Sequence, residues 1–210
     1  KKPEPGDYTR KGLSGLGEND MELWFLDPRL SPTAQLSDKF FTKDRGAFDR
    51  GHVVRREDVA WGSSFQEVRD SVGDTFHVTN CTPQVAGFNR PRSDSNWGDL
   101  ELYVGRQAAA SRLSLFAGPV GAPDDPIFAG VTDGGEVLKV KIPLRYWKVV
   151  AAMQDGKLTT FGFVLEQNLG DVPLEFAVSP EWAQHMIALA DLETMLGNLK
   201  FPPAVKKADQ

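Results

Sequence analysis

Asp49-Arg50-Gly51-His52 is the stretch from which the rest of this sequence is best understood. It places a carboxylate, a permanent cation, a flexible glycine and an imidazole in four consecutive positions. Imidazole has an ordinary pKa of about 6.5, so it can take a proton from water at neutral pH. A guanidinium can hold a phosphate through two parallel hydrogen bonds. These residue types suit the hydrolysis of a phosphodiester, although the tetrapeptide taken alone is also typical of a surface turn.

An amide and a carboxylate further along the chain add a second chemical feature. Asn89 follows Phe88, and Glu101 ends the run Trp97-Gly98-Asp99-Leu100-Glu101. An amide oxygen and a carboxylate near one helix can hold a hard cation such as Mg²⁺, which keeps several of its waters and needs few protein ligands. The two features together indicate metal-assisted chemistry on a phosphate.

The pattern of apolar residues predicts both helices and strands. One amphipathic helix is predicted over residues 96–111, with its N-cap among residues 93–95. A second is predicted from Ser179-Pro180 to Gly197. Strands are predicted at 21–26, 75–79, 113–117 and 138–142, and as a hairpin of 147–153 and 158–165 around Asp155-Gly156. Because this order is irregular, we predict an α+β fold with a central, mostly antiparallel sheet flanked by helices.

The composition excludes several classes of protein. The chain has 210 residues, 40% of them hydrophobic and 25% charged, which is the balance of a globular domain. A net charge of −5 argues against a protein that coats nucleic acid through bulk electrostatics, but not against local basic clusters. One cysteine and three histidines argue against a disulfide or a closed zinc site. No apolar run reaches the roughly 18 residues of a membrane span.

The beginning of the chain bears on its localisation. No signal peptide is recognisable there, and the first residue is Lys1 rather than Met. We expect no membrane association and interpret the chain as a processed form or an excised domain, so its localisation stays undetermined. Residues 1–20 are predicted to be a mobile arm or a covering segment, and residues 201–210 a tail.

The chain resembles the DNA/RNA non-specific endonuclease family, the ββα-metal nucleases named for their Asp-Arg-Gly-His motif. The resemblance extends over about residues 21–197. Its accompanying motifs are Thr75–Asn80 with Pro83-Gln84, Phe88-Asn89, Trp97–Glu101, Ala117-Gly118-Pro119, Ile142-Pro143 with Tyr146–Val149, and Phe163–Asn168. It implies that residues 21–200 form one nuclease domain with a ββα-metal finger, whose partners are DNA and RNA.

The resemblance also implies a role for each residue of the candidate site. His52 would be the general base that activates the attacking water, and Asn89 the one direct protein ligand of a hydrated Mg²⁺, for which Mn²⁺ would substitute. Glu101 would hold a metal-bound water. Arg50 would grip the phosphate, and Asp49 would brace the loop rather than react. The implied products carry a 5′-phosphate.

This chain departs from the family pattern in its spacing. Asn89 and Glu101 lie twelve positions apart (101 − 89) with Pro91 between them, farther than is usual in the family. If the extra residues loop out, Asn89 keeps its place beside the helix. If they do not, Asn96 is the competing metal ligand.

Two arginines that many members carry are also replaced. Gly105 stands one helical turn after Glu101 where an arginine is usual, and Glu22 stands in the place of another. Transition-state cations would then come from Arg50 or from Arg29, Arg55, Arg90 or Arg92, and we expect Arg55, Arg90 and Arg92 to contact substrate. His77 and Cys81 are assigned no catalytic role.

Two alternative functions are also compatible with the sequence. The missing arginines and the acidic net charge fit a catalytically degenerate domain that binds nucleic acid or a partner protein without cutting. A phosphodiesterase that acts on small diesters fits the same site residues. A homodimer, or a neighbouring domain in a larger protein, is compatible with each of these functions.

Overall fold

A computed structural model describes residues 2–8, 13, 23–43, 47–108, 112–131, 137–170, 172, 187–197, 200–203 and 206. The chain divides into two compact units, Lys1–Glu175 and Phe176–Gln210. The described helices are α1 (Lys39–Lys43), α2 (Phe65–Asp74), α3 (Ala86–Asn89), α4 (Trp97–Ala108) and, in the second unit, α5 (Leu189–Leu196). Short 3₁₀ helices lie at Pro32–Ala34, Arg56–Val59 and Val78–Asn80.

The strands of the first unit form three antiparallel sheets. They are β1 (Asp49–His52), β2 (Cys81–Gln84), β3 (Leu113–Val120), β4 (Ile127–Val131), β5 (Val137–Lys141), β6 (Arg145–Gln154) and β7 (Lys157–Glu166). β1 pairs with β2, β4 pairs with β5, and the largest sheet has the order β3-β6-β7. The predicted α+β class with antiparallel sheets is confirmed.

Two groups of buried side chains hold these elements together. The larger core includes Trp24, Phe40 and Phe76, together with Val68 and Val72 of α2. The smaller core joins Phe88 of α3, Trp97 of α4 and Tyr146 of β6. Since Trp97 and Tyr146 are fully buried, the smaller core fixes α3 and α4 against the largest sheet.

The predicted strand at 75–79 is wrong. Thr75 caps the C-terminus of α2, Val78–Asn80 form a 3₁₀ helix, and the strand begins only at Cys81. The side chains of Phe76 and Val78 are both buried although they lie in a turn. Their alternation with polar residues therefore gives the same sequence pattern as a strand with one buried face. The preceding helix α2 was not predicted, although Ser64 accepts a hydrogen bond from the backbone N–H of Glu67 as a typical N-cap.

The predicted strand at 21–26 is also wrong where the structure describes it. Among residues 23–30, Phe25 forms a single parallel bridge with His77. Phe25 donates its backbone N–H to Phe76 and accepts one from Val78. Residues 21 and 22 lie outside the described part of the chain.

The other predicted strands are confirmed. The strand at 113–117 continues to Val120 through Gly118-Pro119, and β5 covers most of 138–142. The hairpin of β6 and β7 turns at Asp155 (φ 50°) and Gly156 (φ 74°), both in the left-handed region. This matches the Asp-Gly pair, which adopts positive φ at both positions of a two-residue turn.

The helix predictions are correct in part. α4 runs from Trp97 to Ala108 rather than from 96 to 111, of which 109–111 lie outside the described residues. A single helix from Ser179 to Gly197 is wrong, since Ala188 has an extended ψ of 138° and α5 begins at Leu189. Gly197 ends α5 with a φ of 67°, as predicted. The Ser179-Pro180 start lies outside the described residues.

Parts of the N-terminal segment are described. The Tyr8 ring meets the Phe65 ring edge-on at 5.5 Å, and Leu13 is buried in the larger core. The proposed boundaries of arm, domain and tail stay predictions. None of the described helices has the length and apolarity needed to cross a bilayer.

Candidate active site

The Asp-Arg-Gly-His stretch is strand β1 itself. In its pairing with β2, Asp49 lies opposite Gln84 and His52 lies opposite Cys81. After β2 the chain continues into α3 and α4. A Cβ atom at Gly51 would lie 2.2 Å from the side-chain carbon of the fully buried Gln84. A larger residue at the third position of the motif would have to displace the fully buried Gln84 side chain, which favours glycine there.

Asp49 holds the residues at the end of α3. Its Oδ2 accepts a hydrogen bond from Asn89 Nδ2 at 2.9 Å. Arg90 donates to both oxygens of the same carboxylate, through Nε at 2.8 Å and Nη2 at 2.6 Å. The amide NH₂ of Asn89 makes this hydrogen bond. Its amide oxygen, Oδ1, is therefore the atom that can bind a metal ion, and hard cations prefer oxygen ligands.

Asn96 has a different environment from Asn89. Its Nδ2 donates to the backbone carbonyls of Gly87 (2.8 Å) and Arg90 (2.6 Å), and its Oδ1 accepts from the backbone N–H of Asp99 (2.9 Å). Asn96 is thus the N-cap of α4, which corrects the predicted cap among residues 93–95.

The residues between the two asparagines form a loop closed by one carboxylate. Asp99 accepts hydrogen bonds from the backbone N–H groups of Ser93 (3.0 Å) and Asp94 (2.9 Å). The bond from Ser93 is the largest of the influences that lower the pKa of Asp99, and burial opposes them. The extra residues therefore loop out before α4 and leave Asn89 at the end of α3.

Gly98 allows this loop to pack against the first turn of α4. A Cβ atom there would lie 2.5 Å from Pro91 N and 2.6 Å from Asn89 O, both backbone atoms. The backbone of Asn89 and Pro91 therefore packs so closely against α4 that a residue with a side chain at position 98 would clash with it. The position of Asn89 depends on this contact.

Glu101 faces β6 in the interior of the first unit. Its Oε1 lies 3.3 Å from Lys148 Nζ, and both side chains are almost completely buried. The same ammonium lies 4.5 Å from the centre of the Trp97 ring. Burial raises the pKa of Glu101 to about 7, against the opposing charges of Lys148 and Arg55.

Two further charged residues complete what we call the ionic cluster, defined as Arg55, Asp58, Glu101 and Lys148. Burial raises the pKa of Asp58, while Lys148 and Arg55 lower it. Arg55 also forms an ion pair with Glu57, with Nε 2.9 Å from Oε2. The cluster brings two carboxyl groups and two cationic side chains together from the 3₁₀ helix Arg56–Val59 and its N-cap, from α4 and from β6.

Sequence reasoning missed Lys148 and Asp58. The signal for Lys148 lies in the alternation of β6, where it stands between Tyr146 and Val150, which are both buried. A lysine in a row of inward-facing residues requires a buried carboxylate as its partner. Asp58 has no comparable signal, since it lies in a short polar 3₁₀ helix.

Arg50 is paired with another carboxylate. It donates through Nε and Nη2 to Asp38, and its guanidinium lies 5.6 Å from the centre of the Phe41 ring. Arg29 likewise donates through Nε and Nη2 to Asp27. A phosphate bound by either arginine has to compete with the carboxylate.

His52 lies at the opposite end of β1 from Asp49. Its ring centre is 4.6 Å from that of Trp24 and 5.2 Å from that of Phe76. These aromatic rings orient the half-buried imidazole at the edge of the larger core.

The remaining residues singled out in the sequence lie elsewhere. Arg92 lies over α3, with Nη1 3.9 Å from the position of a Cβ at Gly87. The His77 ring meets Phe25 edge-on, and its Nδ1 lies 2.8 Å from the backbone oxygen of Asp74. Cys81 is buried, which raises the pKa of its thiol and makes it a poor nucleophile.

The donor set bears on the kind of metal that the site suits. In the described part of the chain, no three His, Cys, Asp or Glu side chains come together as a metal-binding group. A hydrated Mg²⁺ does not need such a group, because it keeps most of its waters and takes one or two protein oxygens. The oriented amide of Asn89 fits that requirement.

Comparison with known proteins identifies the family of the chain. The chain is 32% identical over 181 residues to uncharacterized protein y4fB of Sinorhizobium fredii (strain NBRC 101917 / NGR234), a match that covers 80% of this chain and 26% of the relative. The chain thus spans about a quarter of the length of that curated relative. No solved structure matches the chain. The pattern of one family matches residues 7–208, and the chain belongs to that family, the DNA/RNA non-specific endonucleases.

Proposed function

We propose that this chain is a Mg²⁺-dependent endonuclease that cuts DNA and RNA without regard to the sugar and leaves 5′-phosphorylated products. The observation that carries the proposal is the Asn89 amide, which Asp49 fixes beside β1 with its oxygen available to a hard cation. Membership in the family supports the nuclease activity itself.

Each residue of the site has a distinct task in this reaction. Asn89 would hold Mg²⁺, and Mn²⁺ would substitute for it. When bound, the cation supplies positive charge that stabilises the phosphate and the departing 3′-oxygen. His52 takes a proton from the attacking water, whose oxygen bonds to phosphorus while the bond to the 3′-oxygen breaks, and the 3′-oxygen takes up a proton from solvent. Glu101, as a carboxylate, would accept a hydrogen bond from a water bound to the cation.

Asp49 and Arg50 act on other parts of the site. Asp49 positions Asn89 and Arg90 through its three hydrogen bonds and takes no part in proton transfer. Arg50 binds a substrate phosphate when it exchanges Asp38 for that phosphate. Arg90 and Arg92 follow α3, and Arg92 and, less strongly, the Asp49-paired Arg90 would contact the nucleic-acid backbone.

The test is cleavage of supercoiled plasmid and of single-stranded RNA, in Mg²⁺ and in EDTA. We expect both polymers to be degraded only with the metal, and His52→Ala and Asn89→Ala each to lower the rate at least 100-fold. His77→Ala is the matched histidine control and should cut like the wild type. Equal degradation in EDTA, or by His52→Ala, would contradict the proposed mechanism.

Two outcomes would favour the other functions. Binding of a labelled oligonucleotide without any cutting in Mg²⁺ or Mn²⁺ would indicate a degenerate binding domain, which the pairing of Arg50 with Asp38 and the glycine at 105 favour. Faster turnover of a small diester such as bis(4-nitrophenyl) phosphate than of either polymer would indicate a phosphodiesterase.

A further inference from the structure

Arg55 lies between β1 and the 3₁₀ helix Arg56–Val59, three positions beyond His52. Its side chain crosses to α4, where Nη1 lies 3.7 Å from the position that a Cβ atom would take at Gly105. Its Nε pairs with Glu57 at 2.9 Å, and its side chain keeps 23% of its exposure. One Nη group of the guanidinium thus lies over Gly105, and the side chain as a whole is partly exposed.

The charges around Arg55 place it between two parts of the proposed site. Glu101 lies one helical turn before Gly105, and its carboxyl interacts with the Arg55 charge. Glu57 interacts with Arg55 and with His52. Arg55 is therefore near the proposed water-binding carboxylate, and its ion-pair partner Glu57 also feels the charge of the proposed base.

Arg55 also differs from the other arginines in how it meets its carboxylate. Arg50 and Arg90 each direct Nε and an Nη group at one carboxylate, which occupies the face of the fork. Arg55 meets Glu57 through Nε, at the base of its guanidinium. Since a guanidinium carries five N–H groups, its Nη groups can bind a second anion while Nε keeps Glu57.

We propose that Arg55 binds the phosphate at the bond being cut, and that the glycine at position 105 is the feature of α4 that admits its guanidinium. The ligand is the anionic oxygen pair of a phosphodiester. The cation at this place thus comes from the loop after β1 rather than from α4 itself. This inference rests on the proposed nuclease function and adds one substrate-contacting residue to it.

The geometry yields a relocation experiment. Arg55→Ala should lower kcat/KM for plasmid cleavage by 100-fold to 1,000-fold, the usual effect of losing one charged donor to a reacting phosphate or oxyanion. A side chain that grows from position 105 enters the space that Arg55 leaves. The double variant Arg55→Ala/Gly105→Arg should therefore recover at least tenfold over Arg55→Ala. The matched control is Arg55→Ala/Gly105→Gln, which fills the same space without a cation and should recover nothing.

A second pair of variants keeps Arg55. One variant fills the space over position 105 that the Arg55 guanidinium occupies, and the other is its control. Gly105→Leu should displace the guanidinium and lower the rate at least tenfold, whereas Ala108→Leu adds the same bulk at an exposed position of the same helix and should have no effect. Thermal unfolding of every variant shows which of them fold. If Arg55→Ala does not fold, Gly105→Leu against Ala108→Leu decides the question.

Binding separates failure of this inference from failure of the proposed function. A fluorescein-labelled single-stranded oligonucleotide is titrated in EDTA, where no cutting occurs, at several salt concentrations. Arg55→Ala should reduce the slope of log Kd against log salt by about one, through the loss of one phosphate contact. A wild type that binds but does not cut would defeat the nuclease proposal and leave this slope as the test.

The inference is overturned by any of three results. They are cleavage by Arg55→Ala within threefold of the wild-type rate, no advantage of the Gly105→Arg double variant over its Gln control, and an unchanged salt slope in Arg55→Ala. A wild type that neither cuts nor binds would overturn it together with the proposed function.

Discussion

Each residue of strand β1 has a different neighbour within the protein. Asp49 holds Asn89 and Arg90, Arg50 holds Asp38, and Gly51 makes room for Gln84. His52 alone presents a titratable ring that the proposed reaction uses directly. At the scale of single residues, Asp49 and Gly51 therefore position other groups, whereas Arg50 and His52 act on the substrate in the proposed reaction.

The glycine at the start of α4 yields a test at this scale. Gly98→Ala would place a Cβ within 2.6 Å of the backbone at Asn89 and Pro91, so the loop has to move. We expect a loss of about 1–3 kcal/mol of unfolding free energy, typical of an overpacked site, and at least a tenfold higher Mg²⁺ concentration for half-maximal activity. Chemical denaturation and a Mg²⁺ titration measure the two effects.

The control for Gly98 is another helical glycine. A Cβ at Gly73, inside α2, would meet no atom within 4 Å. Gly73→Ala should therefore raise the unfolding free energy by about 0.5–1 kcal/mol and leave the Mg²⁺ requirement unchanged. An unchanged Mg²⁺ requirement in Gly98→Ala would mean that Asn89 does not depend on this contact.

At the scale of elements, the start of α4 gives the two asparagines different roles. Asn96 caps the helix, so Asn96→Ala should cost about 1 kcal/mol of stability with little effect on the Mg²⁺ concentration for half-maximal activity. Asn89→Ala should instead raise the Mg²⁺ concentration for half-maximal activity and have little effect on stability. Thermal unfolding and isothermal titration with Mg²⁺ distinguish them, and a metal affinity lost in Asn96→Ala alone would identify Asn96 as the ligand.

The contact of α4 with β6 predicts how activity depends on pH. The pKa of Glu101 is raised to about 7 by burial, while Lys148 acts to lower it. Because the proposed role requires the carboxylate, activity should rise with pH through about 7. Lys148→Met removes the lowering charge, so the pKa of Glu101 should rise and the acidic limb of kcat should move to higher pH.

The same pKa has a consequence for stability. The pKa of Glu101 in the folded state lies above the ordinary value of 4.5, so the folded state binds this proton more tightly than the unfolded state does. Its contribution to stability is therefore full below about pH 4.5 and is lost as pH rises through about 7. Glu101→Gln is the control, since it has no carboxyl to titrate. An acidic limb that stays in place in Lys148→Met would exclude Glu101 as its source.

At the scale of the whole molecule, an acidic chain has to bind a polyanion through local clusters. The net charge is −5, yet Arg90 and Arg92 stand together at the end of α3. Because Asp49 already neutralises Arg90, we expect Arg92 to contribute more to substrate binding. Arg92→Ala should flatten the salt dependence of oligonucleotide binding by about one unit of slope, and Arg90→Ala by less.

A matched control for this measurement is an exposed arginine elsewhere on the molecule. Arg106 lies on the exposed side of α4, and Arg106→Ala should leave the slope unchanged. Equal slopes for Arg92→Ala and the wild type would remove Arg92 from the substrate surface. Fluorescence anisotropy in EDTA at several salt concentrations gives all of the slopes.

The sequence by itself determined the features that a few neighbouring residues encode. The Asp155-Gly156 turn follows from backbone conformations that these two residues tolerate, and β5 follows from the alternation of its side chains. The family followed from motifs whose order is preserved along the chain. Where a local pattern was ambiguous, as at Phe76 and Val78, a turn that buries both residues was mistaken for a strand.

Only the tertiary structure decided which charged groups meet. Arg50 pairs with Asp38 and Lys148 with Glu101, and Asn96 bonds back to Gly87 and Arg90 instead of facing a cation. These pairings depend on the distance between residues far apart in the chain and on burial, which makes a partner obligatory for each charge. Neither quantity is present in residue type or spacing, so the site residues could be predicted but not their contacts.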